Sequence, residues 1–201
     1  MRLWSALWIA LAGCALYSGW QRFEHRPASQ PDGVLAPDEP LQTQAHDATP
    51  VQLGRWLLMP QADYDITARI LSSENYRFDA LADLIPEDLA LGWGAMSDNR
   101  ILADFDISQS VRFYRWRPRG PLPIARESVI SHSANTHVIP ADARIRAQLQ
   151  ALRVGDVVRL TGTLVDGKRD DGAWIRTSLT RLDSGPGACE VMLVQHVELR
   201  R

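Results

Sequence analysis

The chain has 201 residues, of which 45% are hydrophobic and 23% are charged, and its formal net charge is −2. This length is sufficient for one domain with a full hydrophobic core and too short for two comfortable ones. A charge so close to neutral provides no long-range attraction to nucleic acid or other polyanions. Of the two cysteines, Cys14 lies in an apolar N-terminal segment and Cys189 in the rest of the chain, which excludes a disulfide within the domain.

Residues 3–20 contain no charged side chain. A helix over this span would measure about 27 Å, close to the apolar thickness of a bilayer, and the flanking charges favour a large domain outside the cytoplasm. We therefore predict a single transmembrane anchor. Two alternatives stay open: a cleaved signal, and a lipoprotein signal in which Cys14 is lipidated and replaces the helical anchor.

Residues 21–50 are punctuated by prolines and contain few large apolar side chains. Such a composition does not bury enough surface to offset the entropy lost on ordering, and its prolines favour an extended spacer. We predict a linker that holds the domain clear of the membrane.

From residue 51 onward, apolar and polar side chains alternate with a period of two, which is typical of half-buried strands. We predict strands at 64–71, 107–116, 136–139, 156–165, 173–179 and 190–199.

Two helices are predicted among these strands. Pro86 and the acidic residues that follow it favour a short helix over 84–96. A second helix begins after Asp142, which can cap it, and stops before Gly155.

The resulting order of strand, strand, strand, helix, strand, strand is that of the oligonucleotide/oligosaccharide-binding (OB) barrel. For residues 51–201 we predict an α+β, mostly β fold, namely a small antiparallel β-barrel-like domain (OB-like) with one or two helices. A long insertion between the first two strands and an extra final strand depart from the simplest OB barrel.

Three stretches carry a resemblance to known proteins: SHSANTHVIPAD at 131–142, GDVVRLTGTLVDG at 155–167 and SLTRLDSGPGACEVMLVQ at 178–195. They resemble those of a family of uncharacterised, membrane-anchored proteins of the bacterial envelope, over most of residues 51–197. The resemblance implies a bacterial envelope protein; with the predicted anchor and its flanking charges, we expect a single-pass protein of the bacterial inner membrane whose C-terminal domain lies in the periplasm. It implies no activity, because no function is assigned to the family.

The run from His132 to His137 holds two imidazoles, two hydroxyls and the amide of Asn135. Imidazole nitrogens are common metal ligands, and Cys189 with Glu190 could complete such a site. A five-residue spacing, however, places the two histidines on different faces of a helix or a strand, so we expect no metal. We predict a hydrogen-bonded loop, with His132, Asn135 and His137 as candidate ligand contacts.

Cys189 is the most specific candidate for a catalytic nucleophile. With His132 or His137 as a base, and an asparagine or aspartate to orient the imidazole, it would form a nucleophilic site. No sequence signature of a cysteine hydrolase surrounds it, and a lone cysteine that enters a strand is usually a small buried apolar residue. We therefore expect no catalytic residue here.

A third candidate is the arginine–aromatic run over 112–119, a composition that suits stacking on bases and neutralising phosphates. On a strand, the arginines are divided between the two faces, and their stems can cover the aromatic rings. Outside the cytoplasm, Arg115 and Arg117 would instead contact an anionic envelope polymer, a lipid headgroup or an acidic protein.

The sequence thus favours a membrane-tethered envelope module that binds or assembles with an envelope protein or an anionic envelope component, without catalysis and without a cofactor. The first alternative is a metal-dependent or cysteine-based enzyme that uses His132, His137 and Cys189. The second is an OB-type binder of single-stranded nucleic acid, which requires a cytoplasmic domain.

Overall fold

A computed structural model describes residues 26–181, 185 and 187–200. The predicted membrane segment at 3–20, including Cys14, lies outside these residues. Within the described part, no helix has both the length and the apolar character needed to span a bilayer.

Strands dominate the described chain, as the alternating pattern predicts. The strands are β1 Leu41–Gln44, β2 Val51–Leu53, β3 Trp56–Asn75, β4 Glu87–Gly92, β5 Phe105–Ser110, β6 Phe113–Pro118, β7 Ser133–Pro140, β8 Val157–Arg169, β9 Trp174–Ile175 and β10 Glu190–Arg200. The helices are a 3₁₀ turn at Gly94–Ser97, α1 Asn99–Leu102, α2 Arg126–Ser131 and α3 Ala143–Gln150. The α+β, mostly β fold class is confirmed.

Five strands pair in a closed circuit. β3 pairs with β4, β4 with β7, β7 with β10 and β10 with β8, and β8 pairs in turn with β3. The β7–β10 pairing is parallel, and the other four are antiparallel. β1 and β2 extend the sheet along β3, β9 extends it along β8, and β5 and β6 form a separate hairpin.

One hydrophobic cluster receives side chains from all five strands of the circuit, among them Ile66, Leu89, Val138, Leu160 and Met192. These side chains are almost fully buried, and burying each one contributes about 2 kcal/mol. Side chains that alternate with them face the opposite side of the sheet, where two further clusters lie. The sheet is therefore buried on both faces over much of its area.

The helix predicted after Asp142 is confirmed. The Asp142 carboxylate accepts a hydrogen bond of 2.7 Å from the backbone N–H of Ile145 and caps α3. Ile145 and Leu149 then pack against the central cluster. This helix connects β7 to β8.

The helix predicted over 84–96 is wrong. Residues Glu87–Gly92 form strand β4 between β3 and β7, and all six are buried. Taken locally, Glu87 and Asp88 favour the first turn of a helix. In the structure their carboxylates are buried in a strand, and hydrogen bonds to residues distant in sequence offset the cost of that burial. The helix prediction failed because those partners belong to other strands.

The single strand predicted over 107–116 is a hairpin. β5 and β6 reverse direction at Val111 and Arg112, whose φ angles are 52° and 63°. Left-handed backbone at two successive residues is usually supplied by glycine or asparagine. Because neither glycine nor asparagine occurs at these two positions, the sequence contains no residue type that predicts the turn.

Part of the segment predicted as a linker lies against the domain. The N–H of Ala28 donates to the carbonyl of Val154, and the N–H groups of Leu35 and Ala36 donate to the Ser97 hydroxyl. Residues 41–44 then form β1. Backbone hydrogen bonds to the domain, which composition does not reveal, hold this part of the segment.

Candidate functional site

The candidate site begins with a buried ion pair between β4 and β7. The register places Asp88 directly opposite His137, and the His137 Nδ1 lies 2.8 Å from the Asp88 Oδ1. Asp88 is fully buried and His137 is 7% exposed. Because a buried carboxylate without a partner is very costly, this pair explains how an aspartate is accepted inside the sheet.

Arg112 supplies a second cation to the same carboxylate. Its Nη1 lies 3.1 Å from the Asp88 Oδ1, while its Nε and Nη2 bind the Asp79 carboxylate at 2.9 and 2.8 Å. Its backbone N–H donates to the Tyr76 hydroxyl, and its guanidinium lies 4.0 Å from that ring's centroid. These contacts hold the left-handed backbone of the β5–β6 turn in place.

Cys189 precedes strand β10 and lies near the same part of β7. Glu190 is in register with Thr136 in the parallel β7–β10 pair, so the preceding Cys189 lies beside Asn135. The Asn135 Nδ2 is 3.5 Å from the Cys189 Sγ and also donates to the Arg112 carbonyl at 3.2 Å.

The electrostatics of His137 are dominated by its two neighbours. Burial lowers the pKa of His137, but hydrogen bonds and charge interactions with Asp88 and Cys189 outweigh burial and raise it to about 9. The His137 Nδ1 is bound to Asp88, and the ring interacts with Cys189 as well. An aspartate–histidine–cysteine row is thereby formed across β4, β7 and the residue before β10.

A cavity of about 150 Å³ opens in front of Cys189. The hairpin covers one side of it, and the chain that leads into β10 covers another. Four aromatic side chains line it together with small, apolar and polar residues; the aromatic and the larger polar ones are Trp93, Phe113, Tyr114, Trp116, Asn135, Arg181, Cys189 and Glu190. A concave surface that combines apolar rings with placed polar groups is the usual form of a small-molecule site.

The structure gives the two histidines of the 132–137 run different partners. The His132 Nδ1 donates to the Ser128 carbonyl at 2.7 Å, and its Nε2 lies 3.5 Å from a Glu39 oxygen. The loop predicted here is wrong, because Ser133–Pro140 is strand β7. Within the described ranges, no group of three or more histidine, cysteine or acidic residues is arranged to hold a metal ion.

Arg115 and Arg117 project from the exposed face of β6, away from Tyr114 and Trp116. Arg115 contacts the Phe113 ring and donates to the Ser110 carbonyl, whereas Arg117 forms an exposed pair with an aspartate. The structure therefore does not bring these two arginines together with Asn135 and His137.

Asp88 is the site residue that sequence reasoning missed. It directly follows Glu87 and precedes the uncharged run LALGWGAM. Acidic residues that adjoin a long apolar run are the signal that could have marked a buried, paired carboxylate.

Comparison of the chain with protein-family models, with curated proteins and with solved structures finds no match.

Proposed function

We propose that this chain is a binding module of the bacterial envelope, tethered by residues 3–20 and facing the periplasm, whose closed circuit of five strands is an OB-type barrel. The proposed ligand is a saccharide, one ring of which enters the cavity beside Cys189. The observation that carries this proposal is the aromatic cavity itself.

The strand order supports the OB-type assignment. In chain order, β3, β4 and β7 are followed by helix α3 and then by β8 and β10, and the last strand lies between β7 and β8. An OB barrel has five strands in a closed or nearly closed Greek key and binds oligonucleotides or oligosaccharides on one face, flanked by loops. In this chain the hairpin inserted between β4 and β7 adds a wall to that face.

The cavity's charge favours a saccharide over a nucleic acid. Arg181 and Glu190 contribute opposite charges to the wall, and the whole chain has a net charge of −2. Binding of single-stranded nucleic acid needs a positively charged groove along the backbone in addition to aromatic platforms. Aromatic walls with balanced polar groups suit a sugar ring, which has an apolar face and a hydroxyl rim.

A wider groove of about 430 Å³ runs between β1 and β8. It is a less suitable site because, among the described residues that line it, Tyr64 is the only aromatic side chain apart from His46 and His196. The smaller cavity combines several aromatic rings with Asn135 and Cys189.

Saccharide binding is measurable by ligand-observed saturation-transfer NMR on the full chain in detergent. The probes are triacetylchitotriose and, for comparison, a single-stranded thymidine oligonucleotide. We expect a saturable transfer to the saccharide that Trp116→Leu abolishes, because Trp116 forms part of the cavity wall.

Trp174→Leu is the matched control, since Trp174 is 64% exposed and lies outside the cavity. It should leave saccharide binding unchanged. Transfer to the oligonucleotide but not to the saccharide would contradict the proposal and favour a nucleic-acid binder. Equal loss in both tryptophan variants would also contradict it.

A further inference from the structure

Cys189 differs in its surroundings from a thiol that only fills space. It is partly exposed, it lines the cavity, and it contacts both the His137 ring and the Asn135 amide. A structural cysteine in a strand is normally enclosed by apolar side chains. Here a potential base, an amide donor and an open space for a ligand meet at one sulfur atom.

The charges around His137 keep an imidazolium beside that sulfur. Arg112 is paired with Asp79 as well as with Asp88, so Asp88 is free to act as the counter-ion of a protonated His137, which also interacts with Cys189. Glu190, next to Cys189, is a buried acidic residue whose charge raises the pKa of Tyr64. An imidazolium held beside a cysteine favours the nucleophilic, deprotonated form of that cysteine.

We propose that Cys189 is a nucleophile that forms a thioester with an acyl group of the ligand in the cavity, with His137 carrying the proton and Asp88 positioning His137. The substrate class is an acyl ester small enough for its acyl group to enter the cavity. This inference rests on the cavity of the proposed function, but it does not depend on a saccharide being the ligand.

Both half-reactions balance without an oxidant or a reductant. With the proton of the pair already on His137, the Cys189 Sγ attacks the ester carbonyl carbon as a thiolate, and the C–O bond breaks as the His137 Nε2 gives its proton to the leaving alcohol. Water then attacks the thioester, the neutral His137 takes the water proton, and the C–S bond breaks to restore the thiolate beside a protonated His137. The products are an alcohol and a carboxylic acid.

Asn135 is placed to assist at the carbonyl oxygen. Its side-chain oxygen accepts a hydrogen bond of 2.7 Å from Gln109, which directs its Nδ2 toward the sulfur. An amide donor beside the attacking atom can stabilise the negative oxygen of a tetrahedral intermediate. The hairpin therefore contributes to the site through Gln109 as well as through Arg112.

The first test compares the iodoacetamide alkylation rate of Cys189 in the folded full chain with the rate in the urea-unfolded chain. Peptide mapping by mass spectrometry reads Cys189 separately from Cys14. We expect the folded thiol to react on the order of tenfold faster at neutral pH. Slower reaction of the folded thiol would overturn the proposal, because it would show a buried structural cysteine.

Variants test the roles of the partners. His137→Gln is expected to reduce the rate to that of the unfolded chain, whereas His196→Gln, which changes an exposed histidine, should leave it unchanged. Asp88→Asn should shift the rise of the alkylation rate to higher pH, a change that loss of packing alone would not cause. An unchanged rate in His137→Gln would overturn the assignment of the base.

The second test uses p-nitrophenyl acetate. A burst of p-nitrophenolate, with acetyl found on Cys189 by peptide mapping, is expected for the full chain and absent from Cys189→Ser. If Cys189 stays unacetylated, the acyl-transfer step is wrong. Neither test contains a saccharide, so this inference and the proposed binding function can fail independently.

Discussion

Replacing Asp88 with asparagine is expected to lower the free energy of unfolding by about 3 kcal/mol at neutral pH, because it leaves two buried cations without their shared carboxylate. Arg112 keeps its pair with Asp79, but His137 loses its charged partner. Urea unfolding followed by far-UV circular dichroism measures the difference.

The pH dependence separates this effect from simple loss of packing. The pKa of His137 is raised from 6.5 to about 9, so its stabilising charge is fully present below pH 6.5 and is lost as the pH rises through 9. The cost of Asp88→Asn should therefore shrink above pH 9. A cost that stays constant from pH 6 to pH 10 would contradict the ion pair.

Asp106→Asn is the matched control. Asp106 also pairs with two arginines, Arg117 and Arg119, but its side chain is 48% exposed. Exposed pairs contribute less than about 1 kcal/mol, so this substitution should be nearly neutral.

Replacing Gly162 with alanine is expected to cost about 3 kcal/mol or more, or to prevent folding. Gly162 lies in β8, with Tyr64 on one side and Val194 on the other. A methyl group there would overlap the backbone carbonyl of Leu193 next to the bulge in β10. The β8–β10 pairing would have to open, and with it the strand circuit.

Gly120→Ala is the control for this prediction, because nothing lies within 4 Å of a Cβ built at that position. It should change the unfolding free energy by less than about 0.5 kcal/mol. Equal stability of the two alanine variants would show that β8 and β10 are not held together at Gly162.

Much of the fold follows from local patterns. The alternation in β3, β7, β8 and β10 and the capped helix after Asp142 are visible in the sequence because each leaves a pattern in its own residues, whichever strands it pairs with. The errors lie where tertiary contacts override local preference. Glu87 and Asp88 are helix-favouring residues in a buried strand, and Val111 and Arg112 turn without glycine because Arg112 is held by Tyr76, Asp79 and Asp88.

The site was predictable only in part. His137, Asn135 and Cys189 were candidates from the sequence, but residue type alone did not distinguish His137 from His132. The choice depends on strand register, which places His137 opposite Asp88 and leaves His132 at the end of α2. Register between strands about fifty residues apart is not encoded in any local pattern.

The titration of His137 reports on whether Asp88, His137 and Cys189 interact as described. In the full chain labelled with ¹⁵N-histidine, the imidazole signals of His137 are identified by their absence from His137→Gln. Because His137 interacts with Asp88 and Cys189, we expect both ring nitrogens to carry protons at neutral pH and the pKa to be about 9. A neutral ring at pH 7, with an ordinary pKa near 6.5, would contradict it.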